Sequence, residues 1–257
     1  MKKQIGVFLA LVLSSSLACQ AIVPPPKRDG TVITDCADIV RAVAEMQSVD
    51  VPQSLMDTGV KQGGEFDPND YFKALTHISM RDGYALDYVY PIDFLGSFPM
   101  LYPRPVDQPP YASAADVPEG VKLGNFRDQL EIEDVEQGYF EYVVMDIMAN
   151  QFYLVWHANY NDLQIICDKN VANAIVDDTN AHDFGAHFDL AQQAQVRALT
   201  NVEPVVIFTD DSAIVEVVTF TKWGGFFKRT YTISMSFPHE VDVKDENLVE
   251  YDCGIMF

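Results

Sequence analysis

AIVEVVTFTKWGGFFKRTYTISM, residues 213–235, holds two β-branched and aromatic runs on either side of Gly224-Gly225. Such runs favour extended backbone, and a Gly-Gly dipeptide supplies the positive φ that a tight turn needs, so the stretch predicts a β-hairpin. With a two-residue turn, Trp223 faces Phe226 and Val218 faces Tyr231. One face then carries Ile214, Val218, Phe220, Phe227, Tyr231, Ile233 and Met235, the expected core side. The other carries Thr219, Thr221, Lys228, Thr230 and Thr232, with Trp223 and Phe226 at the tip. Glu216 falls opposite Ile233 on the core side, where a carboxylate needs a partner, and Arg229 shares that side.

Working outward, Pro204–Thr209 reads as a strand before the hairpin, and Leu248–Cys253 as an edge strand after it. Upstream, Tyr139–Met148, Phe152–Ala158 and Leu163–Cys167 are rich in aromatic and β-branched residues and read as three strands. Tyr84, Leu86, Tyr88 and Tyr90 alternate along a further strand. Seven prolines between Pro91 and Pro118 imply a long surface loop around a short strand at Met100–Tyr102. The acidic DQLEIEDVEQG lacks the ligand spacing of an EF-hand and reads as solvated connection.

Four helices are expected. Cys36, Ile39, Val40 and Val43 share one face of TDCADIVRAVAEM. A second helix follows Asp67 as N-cap and Pro68 at the first position, with Phe66 and Tyr71 as a hydrophobic staple and an inner stripe ending at Ile78. Asp168 caps a helix over Lys169–Val176. Asp189 caps Leu190–Leu199, with Gln192 spaced to reach back. Short connections between strands mean antiparallel pairing. The expected fold is therefore α+β, antiparallel hairpins and meanders with helices packed on one face, over residues 34–257.

The chain has 257 residues, 48% of them hydrophobic, which suits a packed core rather than disorder. The first eighteen residues read as an export leader: Lys2 and Lys3, a short apolar run, then small residues. Removing Lys2 and Lys3 from 17 basic residues leaves 15 against 38 acidic ones, a net charge of −23. That field repels nucleic acid and anionic lipid.

Ser16-Leu17-Ala18-Cys19 resembles the lipobox of bacterial lipoproteins. The resemblance implies an acylated Cys19 as mature N-terminus, so that the protein is held on a membrane at the cell surface or envelope. Ser16 stands where that family has Leu or a similar aliphatic, and ordinary signal cleavage suits the same residues. Residues 19–33, with Pro24-Pro25-Pro26, fit a stiff tether. Of the remaining cysteines, Cys36, Cys167 and Cys253, an exported chain is expected to join Cys36 to one of the other two.

The catalytic constellations are thin. There is no Gly-x-Ser-x-Gly elbow. If Phe152–Ala158 and Leu163–Cys167 form a hairpin, Cys167 and His157 point to opposite faces, and Asp146 does not reach His157 either. Two hairpin ends suit recognition. Trp156, His157, Asn159, Tyr160 and Asp162 set aromatic faces beside amides and a carboxylate. Trp223 and Phe226 form the second candidate. His182, Asp183 and His187 offer nitrogen and oxygen ligands for a divalent metal. The plainer reading of that stretch is a polar helix–helix connection anchored by Phe184 or Phe188. The expected function is non-catalytic binding of a ligand or protein partner, without a cofactor. The alternative is a metal-dependent hydrolase built on His182 and His187.

Overall fold

In the computed structural model the described residues are 30–47, 50–93, 96–156, 160–183 and 185–254. The leader, Cys19 and most of the tether lie outside them, as do His157, Asn159 and Phe184. The elements run β1 (Thr31–Val32), α1 (Cys36–Met46), α2 (Gln53–Thr58), β2 (Ile78–Met80), β3 (Tyr84–Val89), β4 (Gly96–Ser97) and β5 (Met100–Pro105). Then come β6 (Leu130–Ile132), α3 (Glu136–Met148), β7 (Val155–Trp156), β8 (Gln164–Ile166), α4 (Lys169–Ala181) and α5 (Leu190–Ala198). Four strands follow: β9 (Val205–Phe208), β10 (Ser212–Thr221), β11 (Gly225–Ser234) and β12 (Val241–Glu250). The main sheet is ordered β1-β9-β10-β11-β12, with β8 also on β10, and β2-β6, β3-β5 and β4-β7 form separate pairs. Every pairing is antiparallel. The architecture is α+β, antiparallel sheets with helices packed against them.

The expected strand Tyr139–Met148 is a helix. In α3 nearly every residue is buried, including Tyr139, Phe140, Tyr142, Val143, Val144 and Met145. A helix buried on all sides shows no amphipathic period, and a continuous apolar run does not separate strand from buried helix. Gly138 lets its first turn approach: a Cβ there would meet the Glu133 carbonyl oxygen at 2.4 Å. Within the described part of the expected strand Phe152–Ala158, Val155–Trp156 is strand and pairs with β4, while β8 pairs with β10. Among the described residues β7 and β8 do not pair with each other as the hairpin assumed for His157 and Cys167 requires.

The 213–235 hairpin forms in a different register. Thr221 faces Gly225 and Phe220 faces Phe226, so the loop is Lys222-Trp223-Gly224. Gly225 adopts φ +92°, and a Cβ there would meet the Val249 carbonyl oxygen at 2.1 Å. The pairing sum changes by an odd number, which swaps the faces of one strand relative to the other. Ala213, Val215 and Val217 therefore join Tyr231 and Ile233 in the core around α3. Val218, Phe220 and Phe226 lie on the opposite face, with Val176 of α4 and Val196 of α5. The single core face expected from the two-residue turn is divided between these two clusters. Glu216 pairs with Lys228 at 2.5 Å on that second face, and Arg229 pairs with Asp245 of β12 at 2.7 Å.

Local start chemistry acts where it was expected. The Asp168 carboxylate accepts from the Asn170 and Val171 amides, and Asp189 and Gln192 form a reciprocal capping box. Asp67 accepts from the Asn69 amide, and Phe66 packs edge-on against Tyr71 at 5.2 Å. That segment is a 3₁₀ turn over Pro68–Lys73, shorter than the expected helix, because Ile78 leaves to pair with Ile132. Helix α4 runs on to Ala181, past the expected Val176. The last strand begins at Val241 rather than Leu248. Its exposed, acidic residues on the sheet edge carry no apolar alternation. A disulfide joins Cys36 to Cys167 across 131 residues, and Cys253 is a buried free thiol. Among the described residues no helix is long and apolar enough to cross a membrane.

Candidate binding site

A cleft of about 320 Å³ opens beside β3, with Lys61, Phe66, Tyr88, Arg104, Pro110 and Tyr111 among its walls. Its floor is set by strand pairing. Asp87 on β3 faces Tyr102 on β5, and Arg104 follows two residues later along the same ladder. Asp87 is 7% exposed. Its Oδ1 accepts from Lys61 Nζ at 2.7 Å and from the Tyr88 amide at 2.7 Å, and its Oδ2 accepts from Arg104 Nε at 2.9 Å. One buried carboxylate thus holds two cations. Lys61 also donates to the Tyr88 carbonyl at 2.6 Å, and Arg104 Nη1 donates to the carbonyls of Pro105 and Gln108.

The strap from Lys61 to Asn69 closes the other side. The Lys61 amide donates to the Ala112 carbonyl, tying the strap to the loop after β5. The Asn69 side chain imitates a neighbouring strand: its Nδ2 donates to the Leu86 carbonyl and its Oδ1 accepts from the Leu86 amide, both at 2.8 Å. Glu65 folds onto its own turn, accepting from the Gln62 and Gly63 amides. Burial pushes the Glu65 carboxyl up, but those amides and Lys61 outweigh it and hold it below the ordinary value of 4.5.

Tyr88 is the unusual member. It is 1% exposed, and its hydroxyl has no hydrogen-bond partner among the described residues. Lys61 Nζ lies 4.7 Å from its ring centroid, and Phe152 meets the ring edge-on at 5.1 Å. Burial first, then Tyr153, Glu65 and Asp87, drive its pKa far above the ordinary value of 10. The hydroxyl is therefore a neutral donor at any physiological pH. Tyr88 lines the cleft as a residue, while its hydroxyl oxygen is itself sealed from solvent.

The residues singled out in the sequence fare unevenly. Asp162 accepts from Thr221 Oγ1 at 2.5 Å and from the Lys222 amide at 3.0 Å, so it clamps the hairpin loop. Tyr160, 48% exposed, lies 4.3 Å from the Trp223 ring at a tilt of 48°. The structure thus brings together Tyr160, Asp162 and Trp223 from segments about sixty residues apart. Phe226 leaves the set. It is fully buried, 4.8 Å from Phe220, and does not face Trp223. The Trp156 backbone lies in β7, and His157 and Asn159 fall outside the described residues.

The histidine stretch connects α4 to α5. His182 Nδ1 donates to the Asp178 carbonyl at 2.7 Å, and His187 Nε2 donates to the His182 carbonyl at 2.8 Å. Phe188 anchors the connection, stacked on Tyr251 at 4.1 Å. Among the described residues no three His, Cys, Asp or Glu side chains converge as a metal site, so His182, Asp183 and His187 are not gathered as the hydrolase alternative requires. Lys61, Asp87 and Arg104 were not picked out as a set. The available signal was weak: one carboxylate in the aromatic strand YALDYVY, and one arginine between two prolines in YPRP.

No protein-family model matches the chain, and no curated protein or solved structure matches it either.

Proposed function

We propose that the chain is an exported, non-catalytic binding protein, held at the cell envelope by a lipid on Cys19, whose cleft beside β3 receives a small ligand. The observation that carries the reading is a concave site in which two cations share one buried carboxylate beside an apolar wall of Phe66, Leu86, Pro110 and Tyr111. A mostly apolar wall with a few converging polar groups is the common form of a small-molecule site. Asp87 and Glu65 are already committed to cations and backbone amides, which disfavours either as a free general base. The leader, the Cys19 context and the proline tether support anchoring, and the acidic chain supports a partner other than nucleic acid.

A fragment screen followed by amide chemical shifts tests the cleft. The reading expects hits to converge on residues 61–69, 86–88 and 104–112. Hits that map only to the surface around Tyr160 and Trp223 would replace it with the second reading. That reading is a protein-partner surface at the hairpin end, favoured by the exposure of Tyr160 against Trp223.

A further inference from the structure

Strand β12 forms an edge of the main sheet, and among the described residues it pairs with no strand but β11. It is ten residues long, and residues 242–247 are all exposed. Gln192 Nε2 donates to the Glu250 carbonyl at 2.8 Å, so α5 covers the far end. An edge strand presents a row of N–H and C=O groups ready to pair with another chain.

The two faces of β12 differ. Val241 and Val243 lie opposite Ile233 and Tyr231, on the α3 side of the sheet. There they share the wall of a concavity of about 890 Å³ with Tyr142, Phe237, Arg81 and Arg127. Phe237 and Val243 are each 37% exposed, so the concavity presents apolar surface to water. The arginines in this wall are engaged: Arg127 pairs with Asp146, and Arg81 lies over the Phe237 ring at 5.0 Å. The other face carries Asp242, Lys244 and Glu246, opposite Thr232, Thr230 and Lys228. Over residues 240–252 six carboxylates stand against Lys244 alone. Lys244 reaches Asp242 at 3.4 Å, but both side chains are mostly in water, so that pair offsets little.

Charge on an edge keeps sheets from pairing edge to edge, and a second copy of β12 would set one net-negative strand against another. That protective role accounts for the carboxylates. It does not account for a concavity beside the edge with a valine and a phenylalanine open to water. Edge, concavity and charge together are the parts of strand addition: main-chain bonds give affinity, a pocket receives alternate side chains, and charge selects the sequence.

We infer that the β12 edge binds an extended peptide in which basic and apolar residues alternate. Its main chain pairs with β12, its apolar side chains enter the concavity beside Val243, and its cations lie along Asp242 and Glu246. This surface is separate from the cleft beside β3 and does not depend on it.

The probe is a labelled, end-blocked hexapeptide, Lys-Phe-Lys-Val-Lys-Val, titrated into the protein. One comparison peptide carries Glu for each Lys, and another carries Ser for each apolar residue. Two more are N-methylated on alternate amides, one in each phase. The expected result is saturable binding with amide shifts at residues 241–248 and at Tyr142 and Phe237, no binding of the Glu peptide, and about tenfold weaker binding of the Ser peptide. One methylated peptide should bind and the other should not, because only alternate amides of an extended chain face the edge. Asp242→Asn with Glu246→Gln should weaken the probe about fivefold at an unchanged Tm, since both side chains are exposed. Equal binding of the two methylated peptides, or of the Ser peptide and the probe, would reduce the contact to charge attraction and overturn the inference. Shifts confined to the cleft would overturn it and leave the cleft reading standing. A dimer in solution whose contact maps to β12 would give the edge to a second copy and overturn it too, as would no saturable binding of the probe.

Discussion

Arg104 Nε lies 2.9 Å from Asp87 Oδ2, although the two residues stand seventeen apart on different strands. The β3–β5 ladder makes that contact, and Lys61 completes it from a third segment. Asp87 is thus the common anchor of three pieces of chain.

Replacing Asp87 by Ala should be among the most damaging changes in the molecule. It leaves two cations almost buried without a counter-charge, a loss of about 3–5 kcal/mol. Chemical denaturation checks this. A shift within about 0.5 kcal/mol would mean that the triad is solvated and contributes little.

Glu65 gives a pH dependence of known sign. Its folded pKa is depressed, so its contribution is present above its ordinary value of 4.5 and falls away as the pH drops below it. Glu65→Gln should lower stability by a constant amount above its ordinary value of 4.5 and flatten the acid limb below it, so that the two curves converge at low pH. An unchanged acid limb would show that the Gln62–Gly63 turn holds without the charge.

The Cys36–Cys167 disulfide closes a long loop, worth about 5 kcal/mol on the chain-entropy account. A Cys36→Ser, Cys167→Ser protein should melt far below the oxidised one. Peptide mapping should find Cys36 linked to Cys167, with Cys253 alkylated only after unfolding. A Cys36–Cys253 peptide would refute the pairing.

Phe226 and Tyr160, one buried and one exposed, should behave differently. Phe226→Ala opens the core under α4 and α5 and should cost about 3–5 kcal/mol. Tyr160→Ala loses an exposed ring contact with Trp223, about 1 kcal/mol. Equal losses in thermal melts would contradict the burial of Phe226 beneath α4 and α5.

What the sequence disclosed was mostly local. The caps at Asp168 and Asp189 and the face of α1 depend on residues a turn apart, and they are where the pattern puts them. Helix α3 was hidden because all its sides are buried, which erases the period that reveals a helix. The hairpin at Gly224-Gly225 was evident, but its register was not, because a three-residue loop closing on Gly225 uses the same dipeptide as a two-residue turn. The cleft was illegible for a different reason. Lys61, Asp87 and Arg104 meet only through the β3–β5 pairing and the strap, and no spacing in the chain announces it.

Anchoring is tested apart from the fold. Mass analysis of the mature N-terminus should find Cys19 acylated, and Cys19→Ala should release the protein from membranes. A mature form that starts at Cys19 without lipid, and is soluble, would remove the anchor from the account.

The most direct measurement is a crystal structure of the protein soaked with the best hits of the fragment screen. The account predicts a bound fragment in the cleft, in contact with Lys61, Phe66 and Arg104. A cleft filled by ordered water, with the fragments elsewhere or absent, would contradict it.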